Sequence, residues 1–149
     1  VKIRSKFLFC ALSFFFPGAG FNCFYLQGLK SFLGWLQFAA IIGGISGWII
    51  LCTTELASLA GWILLTLGFI SIEASYITTI AYGLRSGERW DDEFNPGIAP
   101  DKATQTGWPT ILLVIFCLVL GAALMMSFFA IAFEQFFISQ LIEARKISQ

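Results

Sequence analysis

At 149 residues, 58% hydrophobic and 12% charged, the chain falls well short of the ~25% charge of soluble domains and lacks the polar side chains to cover a water-soluble fold. A net charge of zero leaves no electrostatic basis for binding nucleic acid, and the lack of histidine removes the commonest general base, haem ligand and zinc ligand. Cys10, Cys23, Cys52 and Cys117 form no C-x-x-C pair and read as small apolar packers, so no cofactor or metal site is expected.

The charges cluster at Lys2 to Lys6, Arg85 to Lys102 and Glu134 to Lys146, and apolar runs fill the intervals. The first run, "FLFCALSFFF" at 7–16, is too short for a bilayer, which needs about 20 helical residues. The runs at 31–53, 57–83 and 108–133 reach that length, and none alternates as a barrel strand would. The pattern predicts an all-α, polytopic helical integral membrane protein: a short N-terminal helix (5–16), a turn (17–28), helices over 31–53 and 57–83, and a polar loop (84–97). A linker from 98, a C-terminal transmembrane helix (108–133) and a polar tail complete it. Thr53-Thr54-Glu55 marks a tight turn, and Pro109 suits a first helical turn, where no N–H is needed. Trp35, Trp62, Trp90 and Trp108 fall near segment ends, where indoles anchor at headgroups.

"PGAGFNCFYLQGLK" (17–30) interrupts this apolar opening. Proline removes a donor and glycine favours left-handed caps, so the first helix ends after about three turns. Lipid cannot face bare backbone, so the break lies either at the interface or against the protein's own helices. The basic start, apolar stretch and "GAG" also have the layout of a signal peptide, which is expected here to stay with the chain.

The segment "FFFPGAGFNCFYLQGLKSFLGWLQ" resembles the core motif of the TM-two domain family, with Gly18, Gly20, Phe24, Tyr25 and Leu26 in register. Asn22 stands where that family usually has histidine or aspartate, Cys23 where it has a basic residue, and Gln27 where it has glycine. "YGLRSGERWDDEFNPG" is similar to the tail that follows the domain in proteobacterial members, so the resemblance spans about residues 5–97. It implies a small membrane protein of the bacterial inner membrane without an assigned activity, whose first helix crosses the bilayer.

Charge argues otherwise about that helix. If the opening run turns back, Lys2, Arg4, Lys6, Lys30, Arg85, Arg89 and Lys102 share one side, against Arg145 and Lys146. Four crossings would split the charges almost evenly, whereas positive residues gather on the cytoplasmic side. Three spans plus a short hairpin are therefore expected.

Glu73 is the sharpest chemical candidate, because a carboxylate at the bilayer centre costs at least about 2.5 kcal/mol on insertion scales. Ser71, Ser75, Tyr76 and Thr79 are close enough in sequence to be its partners. One reading is a neutral, hydrogen-bonded acid that fixes helix contacts; the other is a proton or cation site. Gly43-x-x-x-Gly47, Ala57 with Gly61, and Cys117 with Gly121 are small pairs that let helices approach closely, and the Gly43–Gly47 face is expected to take a partner's helix. In the 84–97 loop, Asp91, Asp92 and Glu93 lack the alternating ligands of a calcium loop, and Trp90 and Phe94 read as aromatic anchors for a neighbour.

The expected function is non-catalytic: an accessory or structural subunit packing against other integral membrane proteins, in contact with membrane lipids. The alternative is a transport or channel component using Glu73, assembled as a homo-oligomer. Without histidine, a G-x-S-x-G or a P-loop, no enzyme activity is expected.

Overall fold

The computed structural model describes residues 3–147, leaving out Lys2 of the basic start and the last two residues of the tail. The described residues are all-helical: α1 (Lys6–Phe15), α2 (Phe21–Gln27), α3 (Phe32–Thr53), α4 (Leu59–Gly83), α5 (Gly87–Phe94) and α6 (Trp108–Ile147). Short 3-10 turns lie at Gly28–Lys30 and Pro100–Lys102. α3, α4 and α6 are long and apolar enough to cross a membrane. The chain thus has the architecture of a multi-span helical membrane protein.

Serine starts four of the helices. Ser5, Ser31, Ser58 and Ser86 accept from the N–H of Leu8, Gly34, Gly61 and Arg89 at 3.4, 3.2, 3.2 and 3.3 Å, each covering one donor that the helix leaves free. α6 departs from expectation. It continues without a break from Trp108 to Ile147 instead of ending at 133, because the polar tail holds good helix formers and neither glycine nor proline.

α1 is about 15 Å long, half the thickness of a bilayer core. It stops at Phe15, and Gly18 and Gly20 take the left-handed φ values of 74° and 77° that turn the chain back into α2. Ser5 N–H donates to the Tyr25 hydroxyl at 2.7 Å, so the return leg ends where the hairpin began. The tip is buried against the protein's own helices: Ser71 Oγ, midway along α4, donates to Gly18 O at 2.9 Å. α1 is thus too short to span a bilayer core and folds back on itself as a hairpin, the arrangement that charge implied.

Arg4, Lys6, Lys30, Arg85, Arg89 and Lys102 consequently gather at one end of the bundle, with the 84–107 segment. The 54–58 turn and the C-terminal part of α6, with Arg145 and Lys146, lie at the other. In that turn Glu55 and Leu56 adopt positive φ (49° and 64°), held by Leu56 N–H to Leu51 O at 2.9 Å.

α3 and α4 pack antiparallel along their length through glycine. A Cβ on Gly44 would lie 2.7 Å from the Gly68 Cα, and one on Gly47 would lie 2.6 Å from Leu65 N. This corrects the partner-facing role expected of Gly47. Gly47 is buried inside the chain's own α3–α4 contact, and Gly43 stands off it, its nearest neighbour being Leu64 at 3.6 Å. A helix turns 100° per residue, so the contact line runs through Gly44 and Gly47, three apart, and leaves Gly43 to one side. Gly61 packs on Leu51 and Ile50, while Ala57 lies outside the helix in the turn.

Candidate functional site

The polar end is built first. The 84–97 loop is itself helical, because Ser86 caps α5 and Glu88 complements its N-terminus. Trp90 and Phe94 then fall on one face, four residues apart. That face turns inward. Trp90 is fully buried, its ring 5.6 Å from Phe9 and 4.5 Å from Phe94, and its indole N–H donates to Arg4 O at 2.9 Å. The expectation that Trp90 and Phe94 anchor a partner is therefore corrected: they close a core made with Phe9, Cys10 and Leu26, for which the chain supplies its own partner surface.

Around that core, side chains tie distant segments together. Asn95 Oδ1 accepts from Arg4 N–H at 2.7 Å. Asp91 accepts from Asn95 Nδ2 at 2.8 Å and from both Thr104 N–H and Thr104 Oγ1 at 2.6 Å. Burial pushes the Asp91 carboxyl up, but the bonds from Asn95 and Thr104 outweigh it and hold the group below the usual aspartate range. Buried Lys6 donates to Arg85 O, at the end of α4, and to Thr106 Oγ1 at 2.8 Å. A cation there also suits the negative end of a helix. Arg85 in turn pairs with Glu93. These acidic residues are thus committed to holding α1, α4, α5 and the lead-in to α6 in place.

The residues of the resembling motif serve the same packing. Gly18 and Gly20 form the hairpin tip, and a Cβ on Gly20 would collide with Gly34 O. The Phe24 ring fills the space that a side chain on Gly34 would need, Tyr25 accepts from Ser5, and Leu26 enters the core.

The second polar locus is mid-membrane. α6 meets α4 through Thr110, Val114, Cys117 and Gly121, a stripe spaced four, three and four residues apart. Glu73 is buried opposite the end of that stripe, its Oε2 3.2 Å from where a Cβ on Gly121 would stand. Tyr76, three residues on, shares the face, with its ring also against Gly121.

The other hydroxyls expected around Glu73 do not reach it. Ser71 Oγ donates to Gly18 O and, at 3.4 Å, to Gln37 O, while Thr79 Oγ1 donates to Ser75 O at 2.9 Å. Residues two apart on a helix point about 200° from each other, so Ser71 and Ser75 line the face toward the hairpin while Glu73 looks at α6. Glu73 Oε1, Ser75 Oγ and Asn22 Nδ2 are buried without a hydrogen-bond partner among the described residues. Asn22 was legible as a departure from the resembling motif, but its burial without a partner was not. The Gly44–Gly68 contact had a fainter signal, the seven-residue spacing of Gly61 and Gly68 on one helical face. No protein-family model, curated protein or solved structure matches this chain.

Proposed function

We propose that this chain is a non-catalytic accessory subunit that packs against another integral membrane protein through the second half of α6. One observation carries the reading: no residue of α6 beyond Gly121 is buried, although the helix runs on for about seven more turns. A 40-residue helix is about 60 Å long, twice a bilayer core, so lipid alone does not cover it. Its last stretch exposes Phe136, Phe137, Leu141 and Ile142. Beside them a mainly apolar groove of about 570 Å³ opens toward the 54–58 turn, lined by Leu56, Leu59, Trp62, Phe136 and Ile142, with Glu55 and Gln135 also on its wall. A helix from a neighbouring membrane protein suits such a groove, since association in lipid relies on close packing.

In this reading the basic end faces the cytoplasm, following the positive-inside bias, and the membrane is the inner membrane of a bacterium, following the family resemblance. The test is a pull-down of tagged full-length chain from gently solubilised native membranes. The wild type is expected to bring down a stoichiometric membrane-protein companion, and Phe136→Gln with Phe137→Gln to lose it while remaining inserted. Recovery of the wild type as a lone monomer would overturn the proposal, and recovery as a self-oligomer would favour a transport role instead.

A further inference from the structure

We propose that Glu73 is an exchangeable proton site inside the membrane, seated where α6 parts from α4. It is the one Asp, Glu, Lys or Arg in the sequence of the three spans between residues 32–53, 59–83 and 108–133. Intramembrane carboxyls normally find a counter-charge or a polar cavity. This one has neither: Oε1 has no hydrogen-bond partner among the described residues, in a side chain 7% exposed. A structural acid that only braced two helices would have both oxygens engaged by the helix it braces, whereas here the opposing residue is Gly121, which offers no side chain.

The surroundings select the ligand. Hard metal ions take six or more oxygens. Of the neighbouring hydroxyls, Ser71 and Thr79 are turned to Gly18 O and Ser75 O and Ser75 lies on the hairpin face, which leaves Tyr76 on the Glu73 face, far short of a metal shell. A proton needs one oxygen, and one is free. The titratable groups facing the carboxyl are Tyr76 from its own helix and Cys117 from α6, with Cys10 of α1 beyond Cys117; α3, packed on the far side, supplies none.

Access follows from the same geometry. Gly121 is the last buried residue of α6. One turn further, on the Glu73 face of α4, Phe69 stacks on Phe128 of α6 at 4.2 Å. Glu73 thus lies between a closed contact and a single aromatic pair. Binding forms one O–H bond at Oε1 with a proton drawn from the aqueous phase, and release reverses it.

The probe is N,N′-dicyclohexylcarbodiimide, which adds to protonated carboxylic acids in apolar surroundings, applied to full-length protein in proteoliposomes between about pH 5 and 9. Adducts are mapped by fragment mass spectrometry, so the wild type alone decides the outcome. Modification of Glu73 is expected, falling at least fivefold from the acid to the alkaline end as the proton leaves. Absence of an adduct at Glu73 throughout, or labelling that is flat with pH, would overturn the proposal. Infrared spectra give a second measurement: a protonated-carboxyl band should move on transfer to deuterated buffer and be missing in Glu73→Gln. A band that never exchanges would mark a sealed structural acid and defeat the proposal as well.

Discussion

α4 makes two long contacts, and they are built on opposite terms. Against α3 the two backbones touch through Gly44, Gly47, Gly61 and Gly68, with the Ser71 hydroxyl reaching Gln37 O at 3.4 Å beyond that glycine seam. Against α6 the buried contact runs from Thr110 to Gly121, ends at a buried carboxyl, and is followed by the Phe69–Phe128 stack. The first is spent entirely on holding the chain together, and residues on it have nothing left for a partner. The second is a partial contact that leaves one helix half uncovered and one acid unsatisfied. Exposed chemistry follows from where packing ends.

The largest effect separating the two should come from Gly68→Leu. A Cβ there would stand 2.6 Å from the Gly44 Cα, a backbone atom that cannot rotate away, so the helices must separate at a cost of about 3 kcal/mol or more. Gly43→Leu meets only a side chain at 3.6 Å and should be tolerated. Size-exclusion profiles and thermal melts in mild detergent compare them, and a Gly43→Leu protein that melts below Gly68→Leu would reverse the assignment of the glycine seam.

A middling effect is expected at Asp91, whose bonds to Thr104 hold the lead-in to α6. Asp91→Asn weakens three charge-assisted hydrogen bonds and should cost about 2 kcal/mol, loosening the start of α6 while leaving the α3–α4 pair intact. The same group sets an acid limit. Its folded-state pKa is depressed, so its stabilisation is complete above the ordinary aspartate value of 3.8 and is lost as pH falls through the lower folded value. Trp90 reports this: with Trp35, Trp48, Trp62 and Trp108 replaced by Phe, quenching of Trp90 by acrylamide should rise in acid, and Asp91→Asn should flatten that rise.

Gly121→Ala should change least. Its methyl would stand 3.2 Å from Glu73 Oε2, the end of a flexible side chain that can yield a few tenths of an ångström, so less than about 1 kcal/mol is expected. Hydrogen exchange of α3 amides should match the wild type, while the Glu73 carboxyl infrared band shifts. A protected α3 with an unmoved band would show that the carboxyl does not lean on Gly121.

Much of the frame was already written in residue types. The lengths of the three apolar runs, the break at Pro17 and the asymmetry of lysine and arginine foretold the long helices, the hairpin and the gathering of basic residues at one end, because each depends on local chemistry or on transfer to lipid. Glu73 was equally visible, a lone acid in an apolar run. Which groups meet it was not, since the hydroxyls of Ser71 and Ser75 lie on another face, that of Thr79 turns back to Ser75 O, and only the placement of α6 put Gly121 across from it. Trp90 and Phe94 show the same limit. Aromatic residues beside acids have the composition of an interface whether the neighbour is another protein or the chain's own first helix. Gly43 and Gly47 had the spacing of a packing pair, yet the seam runs through Gly44. Composition and period set what must be buried, in water or in lipid; the angle at which helices cross decides against what, and that angle is a property of all the contacts at once.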